Sequence, residues 1–284
     1  METLTTTAAL RERIRAQRAQ GQRIAFVPTM GNLHAGHLQL VQYAKTIAEC
    51  VVVSIFVNPM QFGPQEDFAR YPRTHDSDKA VLQDEGTALL FMPDVQEIYA
   101  GGDVGQVTRV EVPGFEDDLC GQFRPGFFTG IATVVTGLFN RVQPDSAVFG
   151  EKDYQQLLMI KRMVRDLCMP VEVHGVATMR EADGLAMSSR NGYLDAVQRA
   201  RAVRLYEVLG EVKAGLEAGR RDVGTLEQQA MESLAEAGFK PDYVSIREQD
   251  SLKVPNPQAT QLIVLAAATL GTTRLIDNIK ISIT

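Results

Sequence analysis

No run of about 18 consecutive apolar residues, the length needed to cross a bilayer as a helix, occurs in this 284-residue chain. The opening stretch METLTTTAALRERIRAQRAQ also lacks the apolar core of a secretory signal. The three cysteines, Cys50, Cys120 and Cys168, are odd in number and far apart, which suits neither a disulfide framework nor a zinc site. These absences lead us to expect a reducing, cytoplasmic setting and no membrane partner. Positive charge is not in excess either. With 29 Lys and Arg against 35 Asp and Glu, the net charge of -6 argues against bulk nucleic-acid binding, while leaving room for a local basic pocket around a small anion. Internal repeats and low-complexity tracts are missing. What is present is an ordinary globular composition, 45% hydrophobic and 23% charged, in a chain long enough for two domains.

Residues 10 to 20 read as a charged, alanine-rich surface helix ending near Gly21. RIAFVPT reads as a buried strand stopped by Pro28. GHLQLVQYAKTIAEC follows, with Leu38, Val41, Ala44, Ile47 and Ala48 at helical spacing, and VVVSIFVN is a β-branched run suited to an inner strand. Strand, helix, strand within about thirty residues is a βαβ unit with a right-handed crossover. The alternation continues through a helix at 75 to 86, a strand at ALLFMP and a less regular segment from 94 to 128 that includes the strand candidate VTRVEV. After it come a helix near 129 to 142, the strand SAVFG, the helix DYQQLLMIKRMVRDL and the strand VEVHGV. This grammar predicts an α/β fold with a Rossmann-like, doubly wound, largely parallel sheet, whose ligands sit at the carboxyl ends of the strands. Two helices, 195 to 218 and 222 to 237, then precede the strands DYVSIRE, QLIVLAAATL and TRLIDNIKIS, which predicts a smaller C-terminal α+β domain. The expected division is 1–178 and 179–284, and the loop READGLAMSSRNGYL is expected to join the halves.

Four stretches carry chemistry. In VPTMGNLHAGH, Val27 to His37, two histidines stand three residues apart with glycines before and between them. If a helix starts behind the glycine turn, His34 and His37 fall in or beside its first turn on one side, where unpaired N–H groups and the helix dipole favour an anion. The G-x-x-x-x-G spacing is that of a P-loop, but His37 and Leu38 replace the Lys and Ser/Thr that would grip phosphate and magnesium, which argues against a Walker-type NTPase. For the pair alone three readings stay open: a phosphate cradle, a helix cap with structural histidines, and a metal site with no third ligand at metal spacing nearby. MSSRN, Met187 to Asn191, offers two hydroxyls and a guanidinium fork suited to polyphosphate oxygens, although such a stretch alone is more often a solvated turn. GEKDYQQ, Gly150 to Gln156, opens a helix at a strand end. Its Lys152 can carry charge to a phosphate, while Glu151 and Asp153 also read as helix-start chemistry. FVNPMQFG, Phe56 to Gly63, brings the amide of Gln61 to another strand end, where it can orient a hydroxy acid or simply belong to a Pro-Met turn. The acidic run Asp76 to Asp78 reads as a solvated helix start. No nucleophile elbow or reactive-cysteine context accompanies these motifs, so covalent catalysis by the protein is not indicated.

Taken in order, VPTMGNLHAGH, VVVSIFVNPMQF, YPRT, QPDSAVFGEKDYQQL, DGLAMSSRNGYL and the closing RLIDN resemble the pantoate-β-alanine ligase family over nearly the whole chain. That family is a branch of the nucleotidyltransferases related to class I aminoacyl-tRNA synthetases, whose HIGH and KMSKS signatures look like His34 to His37 and Met187 to Arg190. The resemblance implies that ATP and pantoate form pantoyl adenylate and pyrophosphate, after which β-alanine attacks the acyl carbon to give pantothenate and AMP. It implies catalytic roles for His37, His34, Lys152, Ser188, Ser189 and Arg190. The nucleotide would be framed by Met30, Gly31, Asn32, Leu33, His34, Ala35, Gly36 and His37, by Gly150, Glu151, Lys152 and Asp153, and by Met179 and Met187 to Arg190. Gln61 and Gln156 would bind pantoate and β-alanine with Asn58 close by. Magnesium would be held mainly by ATP phosphates without a dedicated metal motif, and the chain would act as a homodimer on small molecules, without nucleic acid.

The chain departs from the family pattern at CGQFRPGFF, with Cys120 where the family usually has Glu and Phe127 where it has His. These changes are expected to tune packing or substrate affinity, since the phosphate-handling set is complete. A rival reading is a sister nucleotidyltransferase that makes a nucleotide-linked product, and another is a regulatory module that binds ATP without turnover. Residues 1–178 are expected to bind nucleotide and pantoate, and residues 179–284 to act as a lid closing over ATP through the loop around Arg180 to Asn191, since a dry site protects an acyl adenylate from hydrolysis. Solution scattering is expected to show a more compact particle with ligands than without, and an unchanged profile would refute the closure.

Overall fold

The computed structural model describes residues 1–284 except 65, 100 and 284. Contacts group the chain into two compact units, Met1–Glu151 with Met159–Ala177, and Lys152–Leu158 with Thr178–Thr284. The first unit is built on six parallel strands: β1 (Glu2–Leu4), β2 (Ile24–Thr29), β3 (Cys50–Ile55), β4 (Leu89–Phe91), β5 (Ser146–Gly150) and β6 (Glu172–Val176). Their order across the sheet is β1-β4-β3-β2-β5-β6. The chain therefore winds outward from β2 in one direction through β3 and β4, then returns to β2's other side to continue through β5 and β6. The reversal falls between β2 and β5, paired at Ala25 with Ser146 and at Phe26 with Ala147. In such a sheet the crevice at the carboxyl ends of these two strands is where a ligand enters.

The interior strands read as continuous apolar runs because both faces are covered. All six residues of β3 are buried. On one face Ala25 and Val27 of β2 pack with Val51 and Val53 of β3 and with Leu40, Val41 and Ala44 of α2 (Ala35–Ile47). Leu82, from α3 (His75–Asp84), joins the same cluster. On the other face Phe26 meets the edge of Phe139 at 6.3 Å between ring centres, and Phe139 in turn meets Phe149. Phe139 belongs to α6 (Phe127–Val142). Burying each such side chain contributes about 1.5–3 kcal/mol, so the layers enclosing β2 and β3 stabilise the strand ends from which the motifs project. The remaining helices of this part are α1 (Thr7–Ala19), α4 (Val95–Ile98) and α5 (Cys120–Phe123), and α7 (Tyr154–Asp166) belongs to it from Met159 onward.

The second unit contains α8 (Ala196–Ala202), α9 (Arg204–Glu217) and α10 (Val223–Glu236), followed by β7 (Lys240–Glu248), β8 (Gln261–Leu270) and β9 (Thr273–Ser282) in an antiparallel sheet ordered β7-β8-β9. Leu205, Val208, Leu209, Val212 and Leu216 recur at helical spacing along α9 and share a core with Val264, Ala266 and Ala268 of β8, which recur at strand spacing. The expected parallel sheet and the smaller α+β region are both present.

Four local expectations are corrected. Pro28 does not stop β2, which continues to Thr29. Ile24 O accepts from Asp145 N, whereas Arg23 O and Thr29 O accept from Cys50 N and Phe56 N. Even-numbered residues of β2 thus face β5, and Pro28 lies beyond the last β5 pairing at Phe26, where no partner needs its missing N–H. VTRVEV, 107 to 112, forms no strand: Val110 N donates to Thr133 Oγ1, a side chain of α6, instead of a ladder. The helix expected at 195 to 218 is interrupted at Val203, giving α8 and α9. β1 was not anticipated, since only Leu4 of its three residues is buried and three residues show no periodicity. Burial also pushes the Cys50 thiol up to about 11, so it is no nucleophile at neutral pH.

Candidate active site

The turn from β2 into α2 is shaped by backbone requirements. Gly31 has φ +82°, and a Cβ there would come within 3.0 Å of Asp78 Oδ2 and Ile55 Cγ2, so glycine is needed for both conformation and space. Asn32 follows at φ +50°, a left-handed conformation that Asn tolerates better than most residues. One carboxylate holds this turn. Asp78 of α3, only 2% exposed, accepts from Asn32 N at 2.9 Å, from Leu33 N at 2.8 Å and from Thr74 Oγ1 at 3.1 Å. The solvated helix start expected for Asp76 to Asp78 therefore fits the exposed Asp76 but not Asp78. Sequence spacing could not tell them apart, because only the packing of α3 decides which acid turns inward.

His34 is the N-cap of α2 and His37 sits at its third position. His34 Nδ1 accepts from Gly36 N at 3.2 Å, and His37 Nδ1 accepts from His34 N at 3.3 Å, a reciprocal capping box made by two imidazoles. The rings are tilted by 45° with centres 4.1 Å apart. With Nδ1 accepting in both, the hydrogen-bond pattern assigns the proton of a neutral ring to Nε2. The cap reading therefore holds, and both rings stand at the N-terminus of α2, where the anion reading puts a phosphate.

At the end of β3 a short 3-10 turn, Pro59–Gln61, is capped by Asn58. Asn58 is 1% exposed: Oδ1 accepts from Met60 N at 3.2 Å and Tyr99 OH at 2.7 Å, while Nδ2 donates to Gly130 O and to Gln61 Oε1, both at 3.1 Å. Burial raises the Tyr99 pKa above its ordinary value, which keeps the phenol a donor to Asn58. Asn58 is thus spent within the fold, where it orients Gln61, whose Nε2 donates to the sulfur of Met30 at 2.9 Å.

β5 ends at Gly150 and a 3-10 turn, Glu151–Asp153, leads into α7. Gly150 and Glu151 belong to the first unit, with Met30 to His37, Asn58 and Gln61. Lys152, Asp153 and the partly exposed Gln156 belong to the second, with Met179 and Met187 to Arg190. The loop expected to join the halves lies wholly within that second unit, as a narrow hairpin. Arg180 and Ala186 form a bridge, Met187 N donates to Met179 O at 3.0 Å, and Glu181 N donates to Leu185 O. Ser188 then caps the turn Ser189–Tyr193 by accepting from Arg190 N at 3.2 Å.

A buried acid anchors this loop as well. Arg180 donates to both oxygens of Asp277 on β9 at 2.6 and 2.9 Å, donates to Gly184 O, and stacks 3.9 Å from the centre of the Tyr206 ring. The Asp277 side chain is 2% exposed. Removing one partner of a buried pair typically costs about 3–5 kcal/mol. The neighbouring Asn278 donates through Nδ2 to Lys152 O at 3.0 Å, so RLIDN supports both the serine loop and the Lys152 turn.

A parallel sheet whose central strand leads through a glycine turn into a histidine-capped helix is the frame of an α/β nucleotide-binding protein. The family model of pantoate-beta-alanine ligases matches residues 2–280. The pantothenate synthetase of Azotobacter vinelandii is 54% identical over 283 residues, covering 100% of both chains. The crystal structure of pantothenate synthetase from Thermus thermophilus superposes with a TM-score of 0.91 at 45% identity, covering 98% of this chain and 99% of that one. The pantoate-beta-alanine ligase of Francisella tularensis, crystallised in complex with beta-gamma ATP and beta-alanine, gives a TM-score of 0.81 at 32% identity over 98% and 97% of the chains. The chain belongs to the pantoate-β-alanine ligase family, and it is an acid-amine ligase that joins pantoate to β-alanine.

Asp78→Ala removes the carboxylate shared by Asn32 N and Leu33 N. The expected result is a loss of about 2 kcal/mol in urea unfolding together with reduced turnover. An unchanged midpoint and rate would show that the turn holds its shape without Asp78.

Proposed function

We propose that the chain makes pantothenate in two steps on ATP. The pantoate carboxylate attacks the α-phosphorus to give pantoyl adenylate and pyrophosphate, and the amine of β-alanine then displaces AMP from the acyl carbon. Neither step needs a nucleophile from the protein. Catalysis consists of holding the reactants in line and stabilising charge as it moves onto the departing pyrophosphate. The observation that supports this reading is the imidazole capping box, which holds His34 and His37 at the N-terminus of α2, the helix that follows the strand where the sheet reverses direction.

In this reading His34 and His37 donate to the triphosphate, while Lys152, Ser188, Ser189 and Arg190 hold its oxygens. Gly31 to Gly36 and Gly150 to Asp153 frame the nucleotide with Met30, Met179 and Met187. Gln61 and Gln156 hold pantoate and β-alanine, and Asn58 contributes by aligning Gln61. Residues 1–178 do the binding and 179–284 complete the phosphate contacts. The donors at the turns are imidazoles, amide N–H groups, hydroxyls and cations, a set suited to an anion. Magnesium would be held mainly by the ATP phosphates and would supply charge neutralisation there, while Lys152, Ser188, Ser189 and Arg190 hold the phosphate oxygens. A cytoplasmic homodimer completes the reading, and no helix among the described residues is long and apolar enough to cross a membrane.

Purified protein with ATP and magnesium is expected to release AMP and pantothenate in equal amounts only when pantoate and β-alanine are both supplied. ATP binding without AMP would favour the regulatory module, and turnover with another acceptor would favour the sister transferase. His37→Ala is expected to lower turnover by about 10²–10³-fold in a folded protein, because it removes one preorganised donor to developing charge. Kinetics equal to wild type would remove His37 from the mechanism.

A further inference from the structure

The irregular segment between α4 and α6 holds a cation that the reaction as described leaves without a task. Arg124 follows α5, and its side chain is 12% exposed. Its Nε donates to Glu66 Oε1 at 2.7 Å and its Nη2 to Glu66 Oε2 at 2.5 Å, a forked pair that fixes the guanidinium plane. Below that plane lies the Phe127 ring, 3.5 Å from the guanidinium carbon to the ring centre. Nη2 makes one further bond, to the backbone carbonyl of Gln61 at 3.2 Å.

Gln61 is thereby held at two ends. Its side-chain oxygen accepts from the buried Asn58 amide at 3.1 Å, and its main chain is tied to Arg124. The 3-10 turn that carries Gln61 has only three residues, and its internal bonds are long, with Gln61 N donating to Asn58 O at 3.4 Å. A turn that weakly bonded depends on outside contacts to fix its outgoing side chain.

We propose that Arg124 is a positioning residue for the substrate amide of Gln61, with Glu66 and Phe127 clamping the guanidinium so that its spare donor fixes the Gln61 carbonyl. The inference rests on the reading of Gln61 as a pantoate contact. Lysine cannot substitute: a single ammonium can neither fork onto Glu66 while reaching the carbonyl nor stack flat on Phe127. A phenylalanine at 127 provides the stacking face without adding a donor that would compete for Glu66.

The test measures KM for pantoate, KM for ATP, kcat and the melting temperature in R124K, F127L and Q61A. R124K is expected to raise the pantoate KM about tenfold, the usual effect of losing one hydrogen bond from a charged donor, with the ATP KM and melting temperature near wild type. F127L is expected to shift the pantoate KM the same way by less, and it carries the prediction if R124K does not fold. A pantoate KM unchanged in both variants while Q61A raises it would overturn the role of Arg124 alone. Pantoate and ATP KM rising together with a lower melting temperature would also overturn it, as a purely structural effect. An unaffected pantoate KM in Q61A would instead overturn the reading of Gln61.

Discussion

Two amide hydrogens ending on one buried carboxylate set the geometry on which the active site depends. Asn32 N and Leu33 N point inward because Asp78 lies beneath them, and that bend lets α2 begin at Ala35 with His34 as its cap. Without the bend, the first turn of α2 would not present two imidazoles at the sheet's reversal. A buried carboxylate is costly unless each oxygen is hydrogen-bonded, and here each oxygen accepts a backbone N–H. The same bonds satisfy the acid and shape the site.

The second unit repeats the device with a different partner. Asp277 is buried against Arg180, and the pair holds the hairpin that carries Ser188 to Arg190, while Asn278 supports the turn of Lys152. In both units a carboxylate from another element holds a segment carrying groups suited to phosphate, Asp78 for the histidine turn and Asp277 for the serine hairpin, while the Asn278 amide holds the turn of Lys152. Rigid placement matters because acyl adenylation draws its rate from fixed donors and alignment, with no covalent help from the protein.

Much of this was legible along the chain. The continuous apolar run of β3 and the helical spacing of α2 were readable because a parallel sheet covered on both faces demands them. The motifs His34 to His37, Gly150 to Asp153 and Met187 to Arg190 were readable because strand ends and helix starts are where unpaired N–H groups lie. The false strand at 107 to 112 shows the limit, since an alternating pattern also arises where single residues such as Val112 are buried within a loop. β1 and the continuation of β2 through Pro28 depended on pairing partners far along the chain.

Local pattern settled which elements form and which residues stand at their ends, because helical and strand periodicities and capping chemistry act over a few neighbours. Packing settled what supports those ends. Asp76 and Asp78 are the same residue type two positions apart, yet one faces water and the other holds the histidine turn. The Asn58 side chain is shared among Tyr99, Met60, Gly130 and Gln61, partners that no local pattern announces. Such roles depend on the distance between residues tens of positions apart, and that distance exists only once the chain has folded.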